Sequence, residues 1–292
     1  MLVDEMSMPA NKLLGRVPLV KERRILLIPQ YAMIEQVRQL CTNDPRVVSA
    51  LMFGSFAIGE GDQFSDIEFA LFFTDESFPM IDWEEWVSKI APVELFFADD
   101  FGHFTAIFGN MIRGEFHFEP ASRMSIVESW QGYGWFPSAE SAILLDRTGT
   151  LEELVQPMIG RPPRRDSPDT VRGLNANFIN MMLFGANVME RGEYARAWTL
   201  LANAHSSLLK LVRLVENSTE HWPTPSKSLE WDLTNTAYQR YRRCTADIDP
   251  DGLFQAYRET WKWGNELMSV LSERHGVSFP SALLHSISER FG

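Results

Sequence analysis

The sequence predicts an α+β protein, in which a mixed sheet with flanking helices is followed by an all-α helical bundle. Apolar runs, alternating runs and helical spacings interleave before residue 160, which is typical of strands and helices layered on one core. After residue 168 the strand patterns stop, and only spacings of three or four residues remain. Residues 160–168 contain three prolines and are predicted to be a linker, because proline interrupts a helix.

The elements before the linker follow from the period of the apolar residues. Residues 31–42 have helical spacing, and the apolar run over 47–53 predicts a buried strand. Apolar and polar residues alternate over 66–73, which predicts a second strand. A helix rich in tryptophan and acidic residues is predicted over 80–90, and three further strands over 93–97, 104–108 and 112–118.

The elements after the linker are predicted to be helices over 170–190, 193–216 and 252–273. The second of these helices carries one apolar stripe, formed by Tyr194, Trp198, Leu201, His205, Leu208, Val212 and Val215. The stripe indicates a bundle core, with a dimer face as the alternative. We therefore divide the chain into a flexible N-terminal extension (1–30), a mixed unit (31–165) and a helical unit (166–292).

Composition excludes several classes of protein. The chain of 292 residues has a net charge of −12, and the excess lies in residues 31–165, with 21 acidic and 9 basic residues. Nucleic-acid binding needs cationic surface, so a nucleic-acid partner is not expected. No run approaches the roughly 20 apolar residues of a membrane helix. Cys41 and Cys244 form no metal-binding or disulfide pattern, which favours a cytoplasmic protein with reduced thiols.

The most informative pattern joins the first two predicted strands. The first strand ends in Gly54-Ser55, and the second opens with Asp66-x-Glu68. Residues two apart on a strand share a face, so the two carboxylates can hold one hard cation such as Mg²⁺. Gly54 lets the backbone approach a ligand, and the Ser55 hydroxyl and nearby N–H groups can hold phosphate oxygens. The alternative is a hairpin whose carboxylates are merely solvated.

A third carboxylate comes from the predicted strand over 112–118. Alternation places Arg113, Glu115, His117 and Glu119 on one face, opposite apolar residues. Glu115 can accept the proton of an attacking hydroxyl or serve as a third metal ligand. Desolvation would raise its pKa and Arg113 or a metal would lower it, which leaves the direction open. A salt-bridged surface strand is the alternative.

Together, the Gly-Ser pair, the ten-residue gap and the Asp-x-Glu pair resemble the nucleotidyltransferase superfamily related to DNA polymerase β. The resemblance narrows to lincosamide nucleotidyltransferases of the Asp-x-Glu subgroup, and it is carried by residues 54–69, 112–118 and 191–196. It implies a nucleotidyltransferase-type sheet and transfer of a nucleoside monophosphate, typically AMP from ATP. The acceptor would be a hydroxyl of a lincosamide antibiotic such as lincomycin or clindamycin, with pyrophosphate released.

The resemblance also implies roles for residues and domains. Asp66 and Glu68 would be the metal ligands and Glu115 the catalytic base. Residues 31–165 would form the catalytic domain, and residues 166–292 would help to form the drug site and pair the chain as a homodimer. Phosphoryl chemistry of this kind predicts two Mg²⁺ ions that clamp the attacking and leaving oxygens.

Three further residues are candidates for contacts with the substrates. A nucleotide needs cations that offset the acidic excess, so we predict that Lys227 of the helical half binds the nucleotide, with Arg191 or Arg196 as further candidates. The alternative for each is an ordinary surface charge. We assign His117 and Arg113 to substrate binding. The alternatives are an aminoglycoside nucleotidyltransferase with the same fold, and a non-catalytic binding module. An intact set of three carboxylates argues against the second.

Overall fold

The computed structural model describes residues 28–292, so the predicted extension lies outside the described residues except for positions 28–30. The described chain forms two compact units. The first ends at Arg161, and the second begins at Pro162 and also includes Gly132–Gly134. The break falls inside the proline-rich stretch predicted to be a linker.

The first unit is built on one six-stranded mixed sheet, which confirms the predicted fold class. Its strands are β1 (Val47–Phe53), β2 (Ile67–Phe73), β3 (Val93–Ala98), β4 (Phe104–Phe108), β5 (Arg113–Pro120) and β6 (Ile143–Asp146), in the order β3-β4-β5-β2-β1-β6. The pair β2–β5 is parallel and the other neighbours are antiparallel. The parallel pair therefore brings two strands distant in sequence side by side, with their chain directions aligned.

Helices of the first unit are short apart from the first. They are α1 (Pro29–Asn43), α2 (Gly54–Ala57), α3 (Trp83–Ser88), α4 (Ala139–Ala142) and α5 (Thr150–Val155), with 3₁₀ turns at Phe78–Met80, Ala121–Trp130 and Gln156–Met158. Helix α1 begins two residues earlier than predicted, because Pro29 suits a first helical position. The buried Gln30 amide donates to the carbonyl oxygens of Gln63 (3.1 Å) and Ser65 (2.8 Å) and so fixes the loop before β2.

Alternation on β5 follows the prediction. Gly114, Phe116 and Phe118 are buried, whereas the residues between them face the other side and are partly or fully exposed. The buried side packs into an aromatic core, in which Trp83 stacks on Phe118 with ring centroids 4.3 Å apart. One face of the sheet is thus closed by the core, and the polar residues of β5 lie on the opposite face.

The second unit is all-α, as predicted. Its helices are α6 (Pro168–Glu190), α7 (Tyr194–Glu216), α8 (Leu229–Asp232), α9 (Asn235–Arg243), α10 (Pro250–His275) and α11 (Ser281–Arg290). The predicted stripe on α7 is buried at Leu201, His205, Leu208 and Val212, which belong to the core of the bundle, whereas Tyr194 and Trp198 at its start are 37% and 44% exposed. None of the helices in the described part of the chain has the length and apolar character needed to cross a bilayer.

Candidate active site

The turn from β1 into α2 is shaped around one carboxylate. Gly54 has a φ of +71°, and a Cβ at this position would lie 1.4 Å from Oε2 of Glu68. Only glycine tolerates both the left-handed backbone and this close approach. The backbone N–H of Ser55 donates a hydrogen bond to Glu68. The Gly-Ser pair therefore presses directly against the second residue of the Asp-x-Glu pair.

Strand register brings the predicted carboxylates together. Glu68 lies opposite Phe53 on β1 and opposite Glu115 on the parallel neighbour β5. Asp66 lies two residues before Glu68, and Arg113 lies two residues before Glu115, so each pair shares a face. The side chains of Asp66 and Arg113 are in contact. The two carboxylates of the Asp-x-Glu pair and the carboxylate of Glu115, which comes from a later strand, therefore share one face of the sheet.

Arg113 joins two of these carboxylates. Its guanidinium donates to Asp66 through Nη1 and to Oε2 of Glu115 through Nη2, the latter at 2.7 Å. The other oxygen of Glu115, Oε1, lies 2.9 Å from Nε2 of His117. The side chains of Arg113, Asp66 and Glu115 are 45%, 33% and 22% exposed, so the cluster is open to solvent. Arg113 and His117, predicted to contact substrate, contact the candidate base and a candidate metal ligand.

The two facing glutamates differ in their ionisation. Burial, with the charges of Asp66 and Glu115 adding to it, raises the pKa of Glu68 to about 7. The hydrogen bond from His117 and the hydrogen bond and charge of Arg113 lower the pKa of Glu115 to about 2. The sequence left open whether the pKa of Glu115 is raised or lowered. Hydrogen bonding and the charge of Arg113 lower it. Glu68, by contrast, is only partly ionised at neutral pH, and an added cation would stabilise its carboxylate form.

The residues present fit a hard cation and phosphate oxygens. Asp66, Glu68 and Glu115 offer the oxygen ligands that Mg²⁺ prefers. The hydroxyl oxygen of Ser55 is buried and has no hydrogen-bond partner among the described residues. A buried hydroxyl in that position is expected to find a partner, and a ligand oxygen would supply one.

Aromatic side chains that the motifs did not identify border the cluster. Phe53 packs edge-on against His117 at 5.0 Å and against Trp130 at 5.2 Å between ring centroids. His103 stacks on His117, with centroids 3.6 Å apart. Their signal in the sequence is only positional, because Phe53 precedes the Gly-Ser pair and His103 precedes a predicted strand.

Lys227 lies in the second unit, between α7 and α8. Its backbone carbonyl accepts a hydrogen bond from Nη2 of Arg213 at 2.5 Å. Its predicted contact with a nucleotide stays a prediction.

Comparison with known proteins bears on the second unit. Residues 167–290 match the family model described as lincosamide nucleotidyltransferase-like, C-terminal domain. The resemblance predicted from the sequence is confirmed over these residues, which include 191–196. No curated protein sequence matches the chain.

Two solved structures show weak likeness. An aminoglycoside 6-adenyltransferase from Bacillus subtilis is 14% identical, with a TM-score of 0.42, over 89% of this chain and 95% of that one. A nucleotidyltransferase-like protein from Exiguobacterium sibiricum 255-15 is 15% identical, with a TM-score of 0.32, over 93% of this chain and 88% of that one. Likeness at this level carries no argument about the site.

Proposed function

Because residues 167–290 match a lincosamide nucleotidyltransferase-like domain, we propose that this chain transfers AMP from ATP to a hydroxyl of a lincosamide antibiotic. The observation that carries the proposal is the carboxylate cluster in the first unit. Glu68 and Glu115 lie in register on neighbouring strands, Arg113 links Asp66 to Glu115, and the Gly54-Ser55 turn closes on Glu68. This set combines an acidic cation site with the buried Ser55 hydroxyl, which has no partner among the described residues.

In the proposed reaction a drug hydroxyl attacks the α-phosphorus of ATP. A new P–O bond forms to the drug oxygen, the bond to the bridging oxygen breaks, and pyrophosphate leaves. Glu115 is ionised at neutral pH because its pKa lies at about 2, so it can accept a hydrogen bond from the attacking hydroxyl. Such a weak base acts by orienting the hydroxyl and taking its proton as the new bond forms.

The remaining residues of the site bind and position the nucleotide. Mg²⁺ held by Asp66 and Glu68 would neutralise charge on the phosphates, as is usual in phosphoryl transfer. The Ser55 hydroxyl would donate to a phosphate oxygen and so gain the partner that it lacks among the described residues. Arg113, already between two carboxylates, can hold Glu115 in its ionised form.

An aminoglycoside is the second candidate acceptor. It is favoured by the acidic excess of residues 31–165, with 21 acidic and 9 basic residues, because aminoglycosides are polycationic. The family match of the second unit favours the lincosamide. We also propose that residues 31–165 are the catalytic domain, and that residues 166–292 serve drug binding and homodimer formation.

Mass spectrometry tests the proposal directly. Purified protein is incubated with ATP and Mg²⁺ and with clindamycin or kanamycin, and a chelator supplies the metal-free control. We expect a nucleotidyl adduct on clindamycin that depends on the metal. An adduct on kanamycin alone would keep the reaction and replace the acceptor. No adduct on either drug, with MgATP bound, would contradict the proposed activity and favour a binding role.

A further inference from the structure

Two histidines face each other across the β4–β5 hairpin. Phe104 pairs with Phe116 and Thr105 with Glu115 in the antiparallel register. Extending that register by one residue sets His103 opposite His117, and their rings are stacked at 3.6 Å with an interplanar angle of 5°. Directly opposed residues on one face of a sheet are the closest side-chain neighbours that two strands offer.

Glu115 completes a group of three potential metal ligands. It lies two residues before His117 on the same strand, and therefore on the same face. One ligand atom each from His103, Glu115 and His117 lies within 4.8 Å of the others. The side chains of the two histidines are 36% and 18% exposed, so an ion can reach them from solvent.

The hairpin loop also holds His103 in place. Oδ1 of Asp99 accepts hydrogen bonds from the backbone N–H groups of Phe101 and His103, each at 2.9 Å. Oδ2 of the same carboxylate lies 3.8 Å from Nδ1 of His103. At that distance the two groups are not hydrogen-bonded, but Asp99 lies beside the ring as the carboxylate partner of a metal-bound histidine commonly does. Nε2 of His103 is then the nitrogen that is not beside Asp99. An imidazole nitrogen binds a metal in the plane of its ring, so the two parallel rings must turn apart for one ion to bind both.

We propose that His103, Glu115 and His117 form a binding site for a nitrogen-preferring divalent metal such as Zn²⁺. Imidazole nitrogens suit Zn²⁺, Ni²⁺ and Co²⁺, whereas Mg²⁺ selects oxygen ligands. Two histidines and one carboxylate with a fourth, open position are a common Zn²⁺ ligand set. The site is thus chemically distinct from the carboxylate pair Asp66 and Glu68.

The two oxygens of Glu115 divide between the neighbouring groups. Oε1 faces His117 and Oε2 faces Arg113, at 2.9 and 2.7 Å. A metal bound on the Oε1 side therefore leaves the ion pair with Arg113 intact. Because it occupies the carboxylate assigned to the acceptor hydroxyl, Zn²⁺ should inhibit transfer; this consequence rests on the proposed function.

The binding claim is tested by titrating the tag-free full-length protein with ZnCl₂ in a calorimeter, with a large excess of Mg²⁺ present. The test variant is His103→Phe, which keeps a ring to stack on His117 but removes the nitrogen. The matched control is His285→Ala, which removes an exposed histidine lying 3.3 Å from Glu289 on α11. We expect one strongly bound Zn²⁺ in the wild type and in the control, and a Kd weakened about tenfold or more in His103→Phe.

Two results would overturn the site: no Zn²⁺ binding by the wild type in excess Mg²⁺, or equal binding by the wild type and His103→Phe. A second measurement concerns the shared glutamate. If the wild type transfers AMP and saturating Zn²⁺ leaves that rate unchanged, the claim that the metal occupies Glu115 is wrong. If no drug is modified at all, the proposed function fails while the calorimetric result stands by itself.

Discussion

Two arginines show how differently the two units use charge. Arg113 of the first unit is 45% exposed and bridges carboxylates on an open sheet face. Arg213 of the second unit is fully buried and donates to the carbonyl oxygens of Pro225 and Lys227 and to Asp232. An arginine that stays exposed within a cluster of carboxylates indicates a ligand site, whereas one enclosed by acceptors indicates a structural role.

The two units also carry different evidence of function. The family match lies in the second unit, over residues 167–290, but the carboxylate cluster lies in the first. Glu68 shows the cost of the first arrangement, because its pKa is raised to about 7 by burial and by the neighbouring carboxylates. The fold retains this unfavourable grouping, which a bound cation would relieve.

The largest effect is expected at Arg213. Replacing it with methionine keeps the length of the side chain but removes the donor to three backbone carbonyls, of Ser218, Pro225 and Lys227, and leaves Asp232 with His221 as a partner. Breaking a buried ion pair in this way should lower the free energy of unfolding by about 3–5 kcal/mol, measured by urea denaturation. Arg196→Met on the same helix removes an exposed pair with Glu193 (3.0 Å) and should cost about 1 kcal/mol or less. Equal losses in both variants would contradict the structural role of Arg213.

The next effect is a loss of stability in acid caused by His205. Burial lowers the pKa of this histidine from 6.5 to about 4. Below pH 6.5 the unfolded chain takes up a proton that the folded chain accepts only near pH 4. Stability present above pH 6.5 should therefore fall by about 3 kcal/mol as the pH drops to 4. His205→Gln keeps a donor toward the carbonyl of Cys244, and its unfolding free energy should depend less steeply on pH over this range. The same slope in both proteins would rule out His205 as the cause.

Two glycines with similar backbone conformations test whether the close contact between Gly54 and Glu68 matters for the reaction. Gly54→Ala places a methyl group where Glu68 lies. In Gly59→Ala the new methyl group has no other atom within 4 Å, although the φ of +79° is equally unfavourable for alanine. Both variants should lose about 1 kcal/mol of stability. Turnover should fall about a hundredfold in Gly54→Ala alone, because Glu68 is displaced. Equal turnover in the two variants would show that the contact between Gly54 and Glu68 does not matter for the reaction.

The smallest effect is expected at Lys227. It tests whether a residue of the second unit binds the nucleotide. Lys227→Ala should raise the KM for ATP about tenfold with little change in kcat, if the ammonium contributes a charge-assisted contact to the nucleotide. Initial rates over a range of ATP concentrations give both constants. An unchanged KM would show that Lys227 does not bind the nucleotide, so that nucleotide binding depends on other residues.

The sequence predicted those parts of the fold that depend on local patterns. Alternation located β5 and its polar face, and apolar runs located β1 and β4. Strand β6 escaped prediction because its four residues, Ile143–Asp146, are too few to show a period. Helix α9 was missed because most of its nine residues are polar.

The site was predictable where motif spacing decided it. Gly54, Ser55, Asp66 and Glu68 follow from one short stretch. The cross-strand partners do not, because the position of His103 against His117 depends on the register of the β4–β5 hairpin. The low pKa of Glu115 likewise depends on which neighbour supplies the hydrogen bonds, and spacing alone leaves that choice open.

The most direct test of the central claim compares two glutamates on one face of β5. Glu115→Gln removes the proposed base, and Glu119→Gln removes a carboxylate held 3.1 Å from Arg123. AMP transfer to clindamycin should fall about a thousandfold in Glu115→Gln, with MgATP binding retained, and should remain near the wild-type rate in Glu119→Gln. Unchanged transfer in Glu115→Gln would contradict the account, because the reaction would then proceed without the carboxylate on which it depends.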